Sequence, residues 1–283
     1  MPIYKPSELR QFLVELGANP KKALSQNFLI DGNIIRKIVK TVEIQPNDVI
    51  LEIGPGPGSL TEALLETGAT VLAVEKDNVM AQALERLKSP TNHLEVFSAD
   101  IMEFPVEDTL KKYLSKGSKA KVIANLPYHL TTPILANLVT KFHCFSHLVV
   151  MVQDEVARRF TSAPNRREYS SFTVFLNFYS HPRYAFQVSK HCFYPEPSVE
   201  SAVVVLDLKE PPQVSNIEEF FKMTRTAFEH RRKMLRGSLR ELYDPAKVSE
   251  ALSEINGNPQ SRPELLSLEQ FLQLFEFLKH KSS

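Results

Sequence analysis

The feature that most narrows the possible folds of this chain is an alternation. Short apolar runs rich in β-branched residues, at 49–53, 70–74, 94–98, 121–124 and 148–152, are separated by amphipathic stretches at 59–66, 79–87 and 132–142. Strand, helix, strand in this order predicts a parallel sheet with helices on both faces, because parallel neighbours need a crossover and a helix supplies it. Ligands of such sheets bind beyond the carboxyl ends of the strands, near the point where the strand order reverses. Residues that directly follow each run are therefore the first candidates for function.

The pattern changes towards the carboxyl end. Residues 201–208, almost all Val and Ala, read as one more buried strand, and the proline-bearing stretch 209–216 reads as a linker. Beyond it the periodicity is helical throughout, at 217–239, 245–255 and 267–279. The expected organisation is a domain over 1–209, with 1–45 as an N-terminal segment, and a small all-helical domain over 210–283. No apolar run approaches the roughly 20 residues of a membrane span. The first 22 residues mix charge with proline and carry no signal-peptide core, so a cytoplasmic protein is expected. Cys144 and Cys192 are far apart in sequence, without the spacing of a zinc site, and read as thiols of a reducing compartment.

The turn after the first run is Glu52-Ile53-Gly54-Pro55-Gly56-Pro57-Gly58. Glycines let the backbone approach a ligand closely at a helix N-terminus. The spacing departs from the dinucleotide pattern G-x-G-x-x-G, and two prolines remove amide donors that a pyrophosphate would use. A nucleoside without phosphates fits better. Glu75 ends the second run 21 residues after Gly54, the separation at which an acid reaches ribose hydroxyls. Asp100, after the third, can accept from an adenine amino group. Taken alone each acid reads equally well as a surface residue at a strand end. Together they suit S-adenosyl-L-methionine, and methyl transfer becomes the leading reaction type.

After the fourth run stands Asn125-Leu126-Pro127-Tyr128. An ordinary strand-to-loop turn would have a similar composition. The chemical reading is a pocket for a flat, amine-bearing ring. The Asn125 carbonyl oxygen and a backbone carbonyl, of Pro127 or Leu126, accept the amino hydrogens, while Tyr128 stacks on the ring.

In these residues the chain resembles the small-subunit ribosomal RNA adenine dimethyltransferases of the KsgA type, over most of its length. The marks are Ser25-Gln26-Asn27-Phe28-Leu29, Glu52–Gly58 with Leu60-Thr61, Glu75-Lys76-Asp77 and Asn125–Tyr128. They continue with Gln153–Ala157, Phe193-Tyr194-Pro195-Glu196-Pro197, and Phe228 with Arg231-Arg232-Lys233. The resemblance implies a Rossmann-like, S-adenosylmethionine-dependent α/β methyltransferase sheet with a small C-terminal helical domain. It places Asn27, Leu29, Gly54, Glu75, Asp100 and Asn125 around the cofactor, with S-adenosyl-L-homocysteine as product and no metal. It makes Asn125, Leu126, Pro127 and Tyr128 the target-adenine pocket, adds Phe193 as a second aromatic beside the base, and folds the N-terminal segment over the cofactor. The implied partner is small-subunit rRNA in an assembling 30S particle, met by a monomer. Ser25, His129 and Ser170 depart from the usual family residues, and Ser25 is common in the Erm methyltransferases of large-subunit rRNA.

A net charge of +1 does not mark a nucleic-acid binder, but the distribution of charge is uneven. Arg225, Arg231, Arg232, Lys233 and Arg236 cluster in what reads as one long helix, where Phe220, Phe221, Phe228 and Leu235 form an apolar face. The basic side chains are then candidates for RNA phosphates. Two other readings stay open: a non-catalytic RNA-binding factor on the same fold, and methyl transfer to another acceptor. For the latter, Leu126 argues against the Asn-Pro-Pro-Tyr of DNA and protein methyltransferases.

Overall fold

A computed structural model describes residues 3, 5–21, 24 and 26–280, so Ser25 lies outside the described residues. By its internal contacts the chain divides into two compact units, Met1–Ala157 with Pro182–Lys209, and Arg158–His181 with Glu210–Ser283.

The first unit opens with α1 (Pro6–Glu15), β1 (Phe28–Leu29) and α2 (Gly32–Val39). The alternating run follows: β2 (Val49–Ile53), α3 (Ser59–Leu65), β3 (Thr70–Glu75), α4 (Asn78–Leu84), β4 (His93–Ser98), α5 (Val106–Leu110), β5 (Ala120–Asn125), α6 (Thr131–Val139) and β6 (Phe145–Gln153). After α7 (Asp154–Phe160) and α8 (Ser171–Tyr179) come β7 (Ser180–Val188), β8 (Phe193–Tyr194) and β9 (Ser201–Leu208). The seven-stranded sheet has the order β4-β3-β2-β5-β6-β9-β7. Strands β2 to β6 pair in parallel, whereas β9 runs antiparallel to β6, so the sheet is mixed rather than purely parallel. The order reverses between β2 and β5, which puts Gly54 and Asn125 at neighbouring strand ends.

The central strands are buried along their length, as parallel strands covered by helices must be. Two helices that frame the strand ends start on acidic caps. The Asp31 carboxylate accepts from the N–H groups of Asn33 and Ile34, and Asp77 accepts from that of Val79. A smaller core joins α1 to the strand-end region: Leu9 and Leu13 pack with Ile3, Phe28, Ile30 and Met80. The pairing of β1 with β8, Phe28 opposite Tyr194 and Leu29 opposite Phe193, fixes the chain just after Asn27.

The second unit contains α8, α9 (Ile217–Glu229), α10 (Leu235–Ser238), α11 (Pro245–Glu254) and α12 (Leu268–His280). The sequence assigned residues 158–181 to the first domain. The structure groups Arg158–His181 with the C-terminal helices instead. The reason is aromatic. Phe178 of α8 lies 5.0 Å from Phe221 and 5.6 Å from Phe220, both on α9, while Tyr169 meets Phe228 at 5.9 Å. Rings at these spacings bury much apolar area and gain about 0.5–1.5 kcal/mol per pair beyond it. The second difference is the helix expected over 217–239. It stops at Glu229, and Arg231, Arg232 and Lys233 occupy a turn before α10. Phe220, Phe221, Phe228 and Leu235 are buried as the apolar spacing predicted.

Candidate active site

A cavity open to solvent lies at the carboxyl ends of β2, β3 and β5. Asn27, Gly54, Glu75, Asp100 and Asn125 all line it, with Leu126, Pro127 and Tyr128. Residues from five separate stretches of sequence thus share one wall.

The glycine turn makes the floor. Gly56 adopts φ +55°, and a Cβ there would sit 2.8 Å from the Phe28 ring. Gly58, at φ +90°, would meet Leu84 at 2.7 Å. Both sit at positive φ where a side chain is strained and crowded, and at Gly56, which lines the cavity, bare backbone faces whatever the cavity holds. Glu75 clamps this floor: its two carboxylate oxygens accept from the N–H of Gly56 at 3.0 Å and of Asp77 at 2.8 Å. Burial raises the Glu75 pKa, and these N–H bonds only partly offset the rise. Each oxygen keeps a lone pair for a hydroxyl.

Asp100 is ionised more readily than an ordinary aspartate, because Lys76 Nζ donates to it at 2.7 Å and the Met102 N–H at 2.9 Å. The N-terminal segment is tied to the same rim. Lys21 Nζ and Gln26 Nε2 donate to the two oxygens of Asp77, at 2.9 and 3.0 Å. Burial by itself would raise the Asp77 pKa, but these bonds and the Val79 N–H outweigh it and hold the group low.

At the end of β5 the Asn125 side-chain NH₂ donates to the Asn27 carbonyl at 3.0 Å. One of the two amide hydrogens is thereby used by the backbone, which fixes the orientation of an amide whose Oδ1 is free to accept. The Pro127 carbonyl accepts from the Leu130 N–H at 3.0 Å and the Thr131 hydroxyl at 3.2 Å, closing a 3₁₀ turn at Tyr128–Leu130. Of the two carbonyls left open by sequence, that of Leu126 is therefore the better second acceptor. The Tyr128 hydroxyl bonds to Ser201 Oγ at 2.8 Å, which orients a half-buried ring, and burial raises its pKa.

A model of the ribosomal RNA adenine dimethylase family matches residues 17–280. The chain belongs to this family. It is 63% identical over 278 residues to ribosomal RNA small subunit methyltransferase A of Protochlamydia amoebophila, covering 98% of each chain. The protein of the same name from Chlamydia muridarum is 46% identical, over 96% of this chain and 97% of that one. Among solved structures, a dimethyladenosine transferase from Plasmodium falciparum aligns with a TM-score of 0.75 at 24% identity, covering 89% and 97% of the two chains. The 23S rRNA methyltransferase ErmE aligns at 0.70 and 25%, covering 89% and 100%. The adenine dimethylase family and its methyltransferase neighbours thus account for the Rossmann-like sheet.

Not every residue expected at the site is in it. Phe193 is 3% exposed and belongs to the core under the sheet, so it fills space there and does not line the cavity. Its neighbour Tyr194 is the less buried member of the pair and carries the Arg10 guanidinium over its ring at 5.0 Å. Leu29 lines a smaller adjoining cavity with Phe28, Gly54 and Asn125. The structure adds Gln26, Phe28, Gly56, Lys76, Ile101 and His129 to the main wall. Gln26, Phe28, Gly56 and Lys76 stand in segments that carry the resemblance, and His129 follows one, but none was assigned a role by sequence; Ile101 had no signal at all.

In the second unit Arg225, Arg231, Arg232, Lys233 and Arg236 are exposed. Arg231 also makes backbone hydrogen bonds. Its guanidinium donates to the carbonyls of Arg167 at 2.6 Å and Tyr169 at 2.9 Å, which brings the Arg166-Arg167 loop beside the Arg231–Lys233 turn. Both cysteines are free thiols, and Cys144 does not stand alone: ligand-type atoms of Glu107, His143 and Cys144 lie within 4.8 Å of one another. No helix among the described residues is long and apolar enough to cross a membrane.

Proposed function

We propose that the protein transfers methyl groups from S-adenosyl-L-methionine to N6 of two adjacent adenines in the 3′-terminal hairpin loop of small-subunit (16S) rRNA, giving N6,N6-dimethyladenosine. The observation that carries this reading is the placement of Asn125–Tyr128 in the same wall as Gly54, Glu75 and Asp100. An amine pocket and a nucleoside pocket then open on one space. Family membership supports the enzyme over a non-catalytic binder, which would have no use for both. Relatives matched over nearly the whole chain carry the small-subunit name, which disfavours an Erm-like target.

The residues fit a sulfonium nucleoside. The glycine floor, bare backbone at Gly56, suits close approach, Glu75 offers acceptors for ribose hydroxyls, and Asp100 for the adenine amino group. When bound, the cofactor supplies an electrophilic methyl group. Asn125 Oδ1 and the Leu126 carbonyl accept the two N6 hydrogens of the target base, which draws the nitrogen lone pair out of the ring's conjugation. The same oxygens stabilise the positive charge that grows on N6 during transfer. Tyr128 stacks on the unstacked base and offsets part of the few kcal/mol that extruding it costs. No strong base is required, since the methylated nitrogen becomes acidic and loses its proton to water. Holding the two reactants in line does most of the rest.

Arg225, Arg232, Lys233 and Arg236 are assigned to RNA phosphates, and Arg231 to holding their turn in place. The substrate on this reading is rRNA in an assembling small subunit, and the protein acts as a cytoplasmic monomer. The deciding experiment incubates the protein with labelled cofactor and undermethylated small subunits, then maps modified nucleotides. Label on two adjacent adenines near the 3′ end is expected; no label there, with label instead on large-subunit rRNA offered in a parallel incubation, overturns the assignment.

A further inference from the structure

The amino ends of β5 and β6 lie at the far end of the strands from the cavity, and three side chains of metal-ligating type meet there. Glu107 comes from α5, and the consecutive pair His143-Cys144 from the turn between α6 and β6. One ligand atom of each lies within 4.8 Å of the other two. His143 Nε2 already stands 3.6 Å from Glu107 Oε2. An ordinary surface ion pair accounts for the histidine and the acid, but not for a thiol standing beside both.

The frame around them is firm. The Ala120 N–H donates to the Cys144 carbonyl, and the Cys144 N–H to the Lys141 carbonyl, both at 2.8 Å, so the turn is fastened to the start of β5. The Phe142 ring meets the His143 ring edge-on at 5.8 Å. Glu107 sits in the first turn of α5, whose Val106, Thr109 and Leu110 are buried. Three lysines come near Cys144, but their ammonium groups have other acceptors: Lys111 has Asp108, Lys119 the Phe142 carbonyl and Lys141 the Asn137 side chain. Bonds of about 2.0–2.3 Å to a tetrahedral ion put its ligand atoms about 3.3–3.7 Å apart. Rotation of partly exposed side chains on a fixed backbone covers the difference.

We propose that Glu107, His143 and Cys144 form a zinc site, with water as the fourth ligand. One sulfur, one imidazole nitrogen and one carboxylate oxygen suit this borderline ion, whereas magnesium and calcium ask for oxygen alone. Binding replaces the thiol proton, which leaves to solvent, by a zinc–sulfur bond. The ion ties α5 to the turn ahead of β6 and so adds stability at the end of the sheet remote from methyl transfer. Sequence spacing gave no sign of it, because Glu107 is distant along the chain from the His143-Cys144 pair.

Titration of the full chain with zinc(II) against a chromophoric chelator, under a phosphine reductant, tests this. Wild-type protein is expected to bind one equivalent with a Kd on the order of 1 μM or tighter. Cys144→Ser should weaken binding at least about hundredfold and His143→Asn at least about tenfold, while Cys192→Ser, which alters the other free thiol, binds as wild type. Cobalt(II) adds a readout that only a thiolate ligand gives. Its sulfur-to-metal charge-transfer band should appear in wild type and Cys192→Ser and be missing from Cys144→Ser. Excess zinc should raise the melting temperature of wild type and leave that of Cys144→Ser unmoved. None of the three ligands is fully buried, so the variants should melt with wild type in EDTA, which separates a lost ligand from a lost fold. Absence of zinc binding at about 100 μM, or a site that survives Cys144→Ser intact, would overturn the proposal.

Discussion

The Asn125 side chain and the Asn27 carbonyl are joined by a 3.0 Å hydrogen bond that spans 98 positions of sequence. It ties the end of the central strand to the N-terminal segment and, by holding one amide N–H, sets the orientation in which Asn125 meets a substrate. One side chain thus serves both the reaction and the closure of the site.

Asn125→Ala should lower kcat about 10²–10³-fold, the loss expected when one acceptor for developing charge is removed. Cofactor affinity should fall by a much smaller factor, through the loosened Asn27 segment. Single-turnover rates set beside calorimetric affinities separate the two. Equal losses would make Asn125 a structural residue.

Tyr128 permits a cleaner division. Tyr128→Phe removes the bond to Ser201 and keeps the ring, so the methylation rate should change by less than about tenfold. Tyr128→Ala also removes stacking worth about 1–3 kcal/mol, and should reduce kcat/KM for RNA a further 10–100-fold. A phenylalanine variant as impaired as the alanine one would place the function in the hydroxyl.

The basic turn offers a contrast between neighbours. Arg232→Ala and Lys233→Ala should each reduce the salt dependence of RNA binding by about 0.7–0.9 in the log–log slope, with no change in melting temperature. Arg231→Ala removes the charged donor from two carbonyls that water can partly reach and should destabilise the protein by about 0.5–1.5 kcal/mol. Thermal denaturation beside salt titrations checks both.

The pH dependence of stability has a definite sign at Glu52. Burial lifts its folded-state pKa to about 8 from an ordinary 4.5, so between those values the folded protein keeps a proton that the unfolded chain has lost. Its contribution to stability therefore declines as pH rises through that window. Glu52→Gln, neutral throughout, should melt with wild type near pH 4.5 and above it at pH 8. A constant difference across the range would refute the shift.

The strands of the alternating run were legible because burial on both faces leaves a continuous apolar signature; β2 occupies the residues expected. β7 was not, since Pro182, Arg183 and Gln187 interrupt a strand at the edge of the sheet, where one side meets no neighbour. The helix α8 escaped for the opposite reason. Ser171–Tyr179 is so rich in Phe, Val and Thr that local preference favours a strand, and only the Ser170–Thr173 capping box and the aromatic partners on α9 decide for a helix. At the site, the strand-end rule found Gly54, Glu75, Asp100 and Asn125. It could not distinguish Phe193 in the core from an aromatic in the pocket, because aromatic rings are used equally in both. Nor could it reveal that Pro127's carbonyl is consumed by a turn.

The contact between Gly56 and Phe28 has an evolutionary corollary. A methyl group at 56 would collide with the ring, so the loop after the first central strand and the leading segment cannot drift apart independently. Chimeras that graft the opening thirty residues of a distant relative onto this chain should fail unless the matching loop travels with them.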